Sequence, residues 1–188
     1  MRRHHETLDK RMFDFEEYYA GVAESLPRFS TIAEVGVANG SSAIFLAEAL
    51  LNMKKRFKFY FIDSLSYGQE YQHREILRNT CEAELGEWCE IIPASSVEAS
   101  CMFPDNHFEF VFIDASHKFE WTKADVRCWY PKVKDHGILA GHDYNSEEGA
   151  EVKQAIDICI PKSKLDIVPT AKACNVWQTR KLEGSLCY

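Results

Sequence analysis

Short apolar runs alternate with amphipathic stretches along most of this chain, and that alternation limits the folds open to it more than any other feature. The run 108–113 is almost entirely apolar, as expected for a strand covered on both faces. After an earlier run, Ala43, Leu46 and Leu50 recur at helical spacing. Repeated strand–helix units predict an α/β fold, with an open, mostly parallel, doubly wound sheet and helices on both faces.

The predicted elements divide the chain into a short N-terminal part and a sheet-forming core. Strands are predicted at 31–35, 57–62, 88–92, 108–113 and 137–141, with a closing pair at 167–168 and 175–178. Helices are predicted at 8–26, from Ser41 onward, at 71–84, at 118–129 and at 152–159. Since no repeat or linker interrupts this series, we expect one domain over 1–188, with an N-terminal helical segment at 1–28 and a core at 29–188.

The charge balance and the cysteines narrow the setting in which the protein works. The 22 Lys and Arg residues against 29 Asp and Glu give a net charge of −7, so nothing attracts the chain generally to nucleic acid or to an anionic membrane. Because the apolar runs are strand-sized and the N-terminus is charged, we expect neither a membrane span nor a secretory leader. Seven cysteines without a Cys-x-x-Cys pair indicate free thiols, and we expect a cytoplasmic protein.

Glycine and polar side chains follow the predicted strands at the points where the strands end. In an open parallel sheet, ligands bind beyond the carboxyl ends of the strands, near the place where the strand order reverses. The residues at those ends are Glu34 with Gly36 and Gly40, then Asp63, then Ser95 and Ser96, then Asp114, and finally His142 and Asp143. We therefore expect the functional site at this edge of the sheet.

The turn after the first strand is not suited to a dinucleotide. The fingerprint Gly-x-Gly-x-x-Gly needs its middle glycine to admit a pyrophosphate, and here that position is Ala38. Glu34 would repel a pyrophosphate but would favour a ligand that carries an ammonium and a sulfonium group. Asp63 can accept hydrogen bonds from both hydroxyls of a ribose. An NAD-dependent oxidoreductase is therefore disfavoured, and a cationic nucleoside without phosphate is favoured.

The pattern Glu34-x-Gly36-x-x-x-Gly40, followed by Asp63, resembles the class I S-adenosylmethionine-dependent methyltransferases over roughly residues 31–180. The resemblance implies S-adenosylmethionine as cofactor and a Rossmann-like sheet of seven strands with the last strand antiparallel. It places Gly36 and Gly40 beside the amino acid part of the cofactor and Asp63 on the ribose. The other cofactor-binding residues that it implies are Glu34, Ala38, Asn39, Ser41, Asp114 and, near the adenine, Ser95 and Ser96.

Two carboxylates, those of Asp114 and Asp143, follow predicted strands that a single helix connects. Parallel strands joined in this way are usually neighbours about 4.8 Å apart, so the carboxylates should emerge side by side. Because like charges at such a distance repel, a divalent metal is the natural occupant, with His142 as the third ligand. Oxygen ligands favour Mg²⁺, whereas His142 is tolerated better by Mn²⁺, Fe²⁺ or Zn²⁺.

This arrangement resembles the metal-dependent O-methyltransferases of the catechol type and of the sugar type. The resemblance implies that the metal lowers the pKa of a substrate hydroxyl and that His117 is the general base, since imidazole titrates near neutral pH. His117 and Asp114 are then the catalytic residues. The pair His142-Asp143 departs from the acidic pair, or Asp-Asn, of those enzymes. We expect a metal-assisted methyltransferase whose partner is a small hydroxylated molecule, not a nucleic acid or a membrane.

Simpler structural roles stay open for several of these residues. The glycine-rich turn could be a plain β–α connection, Asp63 and Asp114 could cap helices, and His117 could lie on the surface. The aromatic-rich stretch 64–88 could close over the cofactor or form a small core of its own. A non-catalytic domain that binds a nucleoside or a protein partner is the alternative function. The methyl acceptor and a homodimer also stay open, because no sequence feature decides either.

Overall fold

A computed structural model describes residues 1–8, 13–64, 69–145 and 149–183, and these form a seven-stranded sheet flanked by helices. The strands are β1 (Phe29–Val35), β2 (Arg56–Asp63), β3 (Cys89–Pro93), β4 (Phe108–Ile113), β5 (Val133–Gly141), β6 (Asp166–Val168) and β7 (Val176–Arg180). The helices are α1 (Glu16–Ser25), α2 (Ser41–Asn52), α3 (Gln69–Glu82), α4 (Ser96–Ser100), α5 (Phe119–Trp129) and α6 (Ala150–Cys159). None of the helices in these ranges is long and apolar enough to cross a membrane.

The order of the strands across the sheet is β3-β2-β1-β4-β5-β7-β6. Every neighbouring pair is parallel except the two pairs that include β7. The chain moves outward from β1 to β3 and then returns to form β4 on the other side of β1, so the strand order reverses between β1 and β4. The predicted doubly wound sheet with an antiparallel last strand is confirmed.

Alternate residues of the central strands pack into two separate cores, one on each face of the sheet. On one face Phe110 and Phe112 pack with α1, α2 and α3, and on the other Val111 and Ile113 pack with α4, α5 and α6. Successive side chains of a strand point to opposite faces, so a strand is apolar at every position where a core covers both faces. This two-sided burial explains the apolar sequence of β4.

The N-terminal helix is shorter than the sequence predicts. It begins at Glu16 and not near Leu8, because Phe13 and Phe15 pack into the first core in non-helical backbone ahead of it. Residues 9–12 of the predicted helix lie outside the described residues. Aromatic packing in the folded protein therefore sets the start of α1, and the helical spacing of the apolar residues does not.

Strand β5 and helix α4 also differ from the prediction. β5 begins at Val133, four residues before the predicted start at Gly137, and its register against β4 shifts along the way. Helix α4 is not among the predicted elements, although Ser95 and Glu98 form a capping box at its start. A Ser-x-x-Glu pattern of this kind marks the beginning of a helix, so the sequence did hold a signal for α4.

Candidate active site

The carboxyl ends of five parallel strands, β3, β2, β1, β4 and β5, succeed one another along one edge of the sheet. Val35 pairs with both Ile62 and Ile113, and Ile113 also pairs with Gly141. The residues that follow these positions are thereby neighbours: Gly36 after β1, Asp63 as the last residue of β2, Asp114 after β4 and His142 after β5. The edge where the strand order reverses therefore carries the predicted site residues.

The loop after β1 turns through two glycines in left-handed backbone. The φ angle is +87° at Gly36 and +85° at Gly40, a region that favours glycine. A Cβ at Gly36 would overlap the carbonyl oxygen of Asp114, so the close approach of β1 and β4 requires glycine there. At Gly40 a Cβ would lie 3.3 Å from Cγ1 of Ile76 in α3. The fold accounts for both glycines, so they do not by themselves identify a cofactor.

Two hydrogen bonds tie the glycine-rich loop to its neighbours. The backbone N–H of Ala38 donates to Oδ2 of Asp63 at 3.0 Å, which fixes this carboxylate beside the loop. The side-chain amide of Asn79 in α3 donates to the carbonyl oxygen of Asn39 at 2.8 Å, and within the loop the N–H of Ser41 donates to Oδ1 of Asn39 at 3.2 Å. Asp63 therefore lies beside the glycine-rich loop, and its contact with a ribose stays a prediction.

Glu34 is buried and turned toward the helices. The hydroxyl of Tyr19 in α1 donates to Oε2 at 2.7 Å, and the hydroxyl of Ser42 in α2 donates to Oε1. Burial raises the pKa of Glu34 to about 7; the bonds from Ser42 and Tyr19 lower it, and the charge of Asp114 raises it. The sequence predicts that Glu34 attracts a cationic ligand, but in this geometry both oxygens bind hydroxyls of the protein.

The two serines after β3 take part in contacts within the fold. The Oγ of Ser95 accepts a hydrogen bond from the N–H of Glu98 and caps α4. The Oγ of Ser96 accepts a hydrogen bond from Nε1 of Trp129 at 2.9 Å and also bonds to Asp125. Because both hydroxyls are engaged, we expect any contact with an adenine to come from the backbone of this turn.

Asp114, His117 and Asp143 form a compact cluster after β4 and β5. One ligand atom of each lies within 4.8 Å of those of the other two, and Nε2 of His117 is 3.0 Å from Oδ2 of Asp143. Asp114 and His117 line an open cleft together with Thr122 and Trp177. The two carboxylates therefore do emerge side by side, with an imidazole beside them.

The electrostatics of this cluster suit a cation. Burial raises the pKa of Asp114 to about 6; the charge of His142 opposes this shift and that of Asp143 adds to it. Burial also acts to raise the pKa of Asp143, but hydrogen bonds with His117 and His142 outweigh it and hold this pKa well below its usual range. Two carboxylate oxygen donors, one of them firmly ionised, fit a hard divalent ion such as Mg²⁺.

His142 lies beside this cluster and also contacts Asp14. Its Nδ1 lies 3.3 Å from Oδ2 of Asp143 and 4.0 Å from Oδ1 of Asp114, but its Nε2 lies 2.8 Å from Oδ1 of Asp14. Burial lowers the pKa of His142, yet the hydrogen bond with Asp143 and the surrounding carboxylates raise it to about 8. Both His117 and His142 therefore stand beside the two carboxylates, and the role of His142 as a metal ligand stays a prediction.

Several residues that contact the site are not found by sequence reasoning. Tyr19 and Ser42 bind Glu34, and Asp14 faces His142. The hint for Asp14 is its position between Phe13 and Phe15, since a charged residue between two buried aromatic residues needs a partner inside the protein. Tyr19 and Ser42 give no such signal, because both are ordinary in an amphipathic helix.

The strand order and the glycine-rich loop after β1 are those of a class I S-adenosylmethionine-dependent methyltransferase. The sequence profile of a family described as methyltransferase domain matches residues 33–144, and the chain belongs to this family. No curated protein matches the sequence.

Solved structures with the same fold include three from bacteria. An O-methyltransferase from Bacillus cereus in complex with S-adenosylhomocysteine is 14% identical over 93% of this chain and 82% of that chain, with a TM-score of 0.65. A candidate caffeoyl-CoA O-methyltransferase from Staphylococcus aureus is 15% identical over 93% and 84%, with a TM-score of 0.67. A candidate rRNA methylase from Clostridium thermocellum is 14% identical over 91% and 97%, with a TM-score of 0.69. At these identities the similarity shows a shared fold.

Proposed function

We propose that this methyltransferase transfers the methyl group to a hydroxyl of a small molecule with the help of Mg²⁺. The observation that carries the proposal is the cluster of Asp114, His117 and Asp143 next to the loop after β1. A domain that only binds a nucleoside has no need for two carboxylates and an imidazole at this point. The O-methyltransferases among the solved structures that share the fold support the same choice of reaction.

Each member of the site has a separate task in this proposal. S-adenosylmethionine supplies an electrophilic methyl group, and the divalent ion supplies a Lewis acid that lowers the pKa of a hydroxyl. Asp114 and Asp143 would hold the ion through their oxygens, and Asp63 would hold the ribose. Asp143 stays ionised at neutral pH because of its hydrogen bonds with two imidazoles. His117 would accept the proton that leaves the acceptor hydroxyl at Nδ1, because Nε2 donates to Oδ2 of Asp143.

His117 could instead complete the ligand set of the metal ion, because its Nε2 is close to both carboxylates. We favour the role of base because the His117 side chain is 35% exposed, against 21% for Asp114 and 14% for Asp143, and so lies nearest to an incoming acceptor. Binding of Mn²⁺ to His117→Ala separates the two roles. A base leaves Mn²⁺ affinity unchanged while methyl transfer falls about 10²- to 10⁴-fold. A fall in Mn²⁺ affinity would make His117 a ligand.

Transfer of a radiolabelled methyl group to a panel of catechols and hydroxylated sugars tests the function directly. We expect transfer to stop in excess chelator and to return when Mg²⁺ is added. Asp135→Asn is the matched control for the aspartate variants, because Asp135 is exposed on β5 before the strand reaches the site edge. Full transfer in the chelator would remove the metal from the mechanism. Binding of S-adenosylhomocysteine without transfer to any acceptor would favour the non-catalytic alternative.

We propose a small-molecule acceptor over a nucleic acid because of the charge of the chain. Its net charge is −7, and Asp114 lines the cleft with Asp143 beside it. A nucleic acid would bring phosphates to this negative edge, whereas a neutral hydroxylated molecule would not be repelled.

A further inference from the structure

We propose that Asp14, His142 and Cys174 bind a second divalent cation, of the zinc class, beside the Asp114–Asp143 carboxylates. One ligand atom from each of the three residues lies within 4.8 Å of those of the other two. They offer a carboxylate oxygen, an imidazole nitrogen and a thiol sulfur, a mixed set that Zn²⁺ and Co²⁺ accept and Mg²⁺ does not. We call this the thiol site.

Three distant parts of the chain converge at the thiol site. Asp14 precedes α1, His142 follows β5, and Cys174 lies between β6 and β7. The N–H of Asn145 donates to the carbonyl oxygen of Cys174 at 3.1 Å, and this bond holds the segment between β6 and β7 against the end of β5. The fold therefore fixes the three side chains close together.

Contacts outside the thiol site orient two of its ligands. Oδ2 of Asp14 accepts hydrogen bonds from the hydroxyl of Thr170 at 2.8 Å and from the N–H of Lys172 at 3.0 Å, so Oδ1 is left toward His142. Nδ1 of His142 faces Oδ2 of Asp143 at 3.3 Å, which turns Nε2 toward Asp14. A histidine that gives one ring nitrogen to a carboxylate and the other to a metal is the usual arrangement in metal sites.

The atoms that face each other in the thiol site are buried without a hydrogen bond. The side chains of Asp14 and His142 are 3% and 7% exposed, and Oδ1 and Nε2 are 2.8 Å apart. Among the described residues, neither atom has a partner with hydrogen-bond geometry. Zinc binds such ligands at about 2.0–2.2 Å, so a small separation of the two atoms would let one ion contact both.

Cys174, the third ligand of the thiol site, would lose its proton when the ion binds. Cys174 would bind the ion as a thiolate, the form of cysteine that ligates metals. Binding of a divalent cation would favour the thiolate and the neutral imidazole, and the protons of Cys174 and His142 would go to solvent. The ion would then join the segment before α1 to the segment between β6 and β7.

Titration of the metal-free full-length protein with Co²⁺ tests this proposal by absorbance. Cobalt bound to a thiolate gives a charge-transfer band in the near ultraviolet, whereas cobalt held only by Asp114, His117 and Asp143 cannot. We expect one equivalent of Co²⁺ to give the band in the wild type, Cys174→Ser to abolish it, and Asp14→Asn to weaken Co²⁺ affinity about 10- to 100-fold. Excess Zn²⁺ should displace the cobalt and remove the band.

Cys101→Ser is the matched control, because Cys101 is an exposed thiol on the C-terminal side of α4, outside the thiol site. It should leave the band unchanged. Absence of a band in the wild type, or a band that persists in Cys174→Ser, would overturn the proposal. Neither result would affect the proposed Mg²⁺ site, since Cys174 is not among its ligands.

Discussion

The two halves of the candidate active site use their acidic residues in opposite ways. Around the ends of β1 and β2, Glu34 and Asp63 accept hydrogen bonds from hydroxyls or a backbone N–H of the protein. Around the ends of β4 and β5, Asp114 and Asp143 face each other and two imidazoles. In the first half, hydrogen bonds from the protein satisfy the carboxylates. In the second half, two carboxylates lie close together, and a bound cation would balance their negative charge.

The largest effect on the first half should come from its first glycine. Gly36→Ala places a Cβ against the carbonyl oxygen of Asp114 in left-handed backbone, so we expect a loss of about 3 kcal/mol or more in the free energy of unfolding. Gly40→Ala meets the flexible side chain of Ile76 and should cost about 1–2 kcal/mol. Urea denaturation measures both.

Gly21→Ala provides the reference for these glycine variants. Gly21 lies within α1, and a Cβ there would meet no heavy atom of the surrounding protein within 4 Å. Alanine should therefore leave the protein equally stable or raise its stability by up to about 1 kcal/mol. Equal losses for Gly36→Ala and Gly40→Ala would show that the contact between β1 and β4 does not restrict this loop.

Glu34 should make stability depend on pH. Its pKa is about 7 in the folded protein against an ordinary value of 4.5, so the folded state binds the extra proton between these values. The free energy of unfolding therefore falls as pH rises through this interval, by up to about 3 kcal/mol from this group. In Glu34→Gln that contribution should be absent. Urea unfolding at several pH values measures the free energy of unfolding of both proteins. If it changes equally with pH in both between about pH 4.5 and 7.5, the raised pKa of Glu34 is contradicted.

The last of these predictions concerns Asp63 and the affinity for the cofactor product. Asp63→Ala removes the proposed acceptor for the ribose hydroxyls and the bond to the N–H of Ala38. We expect S-adenosylhomocysteine to bind about 10- to 100-fold more weakly, as for the loss of a hydrogen bond to a charged group. Calorimetric titration beside Asp135→Ala gives the comparison. Unchanged affinity in Asp63→Ala would count heavily against its place at the cofactor.

The sheet could be predicted from the sequence because local and tertiary signals agree there. The strand at 108–113 is predicted with both ends correct, since an apolar run of that length is typical of a buried strand. The start of α1 is wrong because Phe13 and Phe15 are packed by residues far along the chain, such as Phe112, which contacts Phe15. Long-range packing of this kind leaves no local pattern.

The site could be predicted only in part. Neighbouring strands bring Asp114 and Asp143 together, so their pairing follows from topology alone. The arrangement of the two histidines beside them does not follow from topology, because the direction of the His142 ring depends on Asp14, which lies far away in the sequence. The same limit applies to Glu34, whose partner Tyr19 comes from the N-terminal helix.

Binding of Mn²⁺, followed by electron paramagnetic resonance, tests the proposed metal site at Asp114 and Asp143 without any knowledge of the acceptor. We expect one bound Mn²⁺ in the wild type and in Asp135→Asn. The double variant Asp114→Asn/Asp143→Asn should bind no Mn²⁺ but should still bind S-adenosylhomocysteine. A wild-type protein that binds no Mn²⁺, or a double variant that binds it as well as the wild type does, would contradict the proposed metal site.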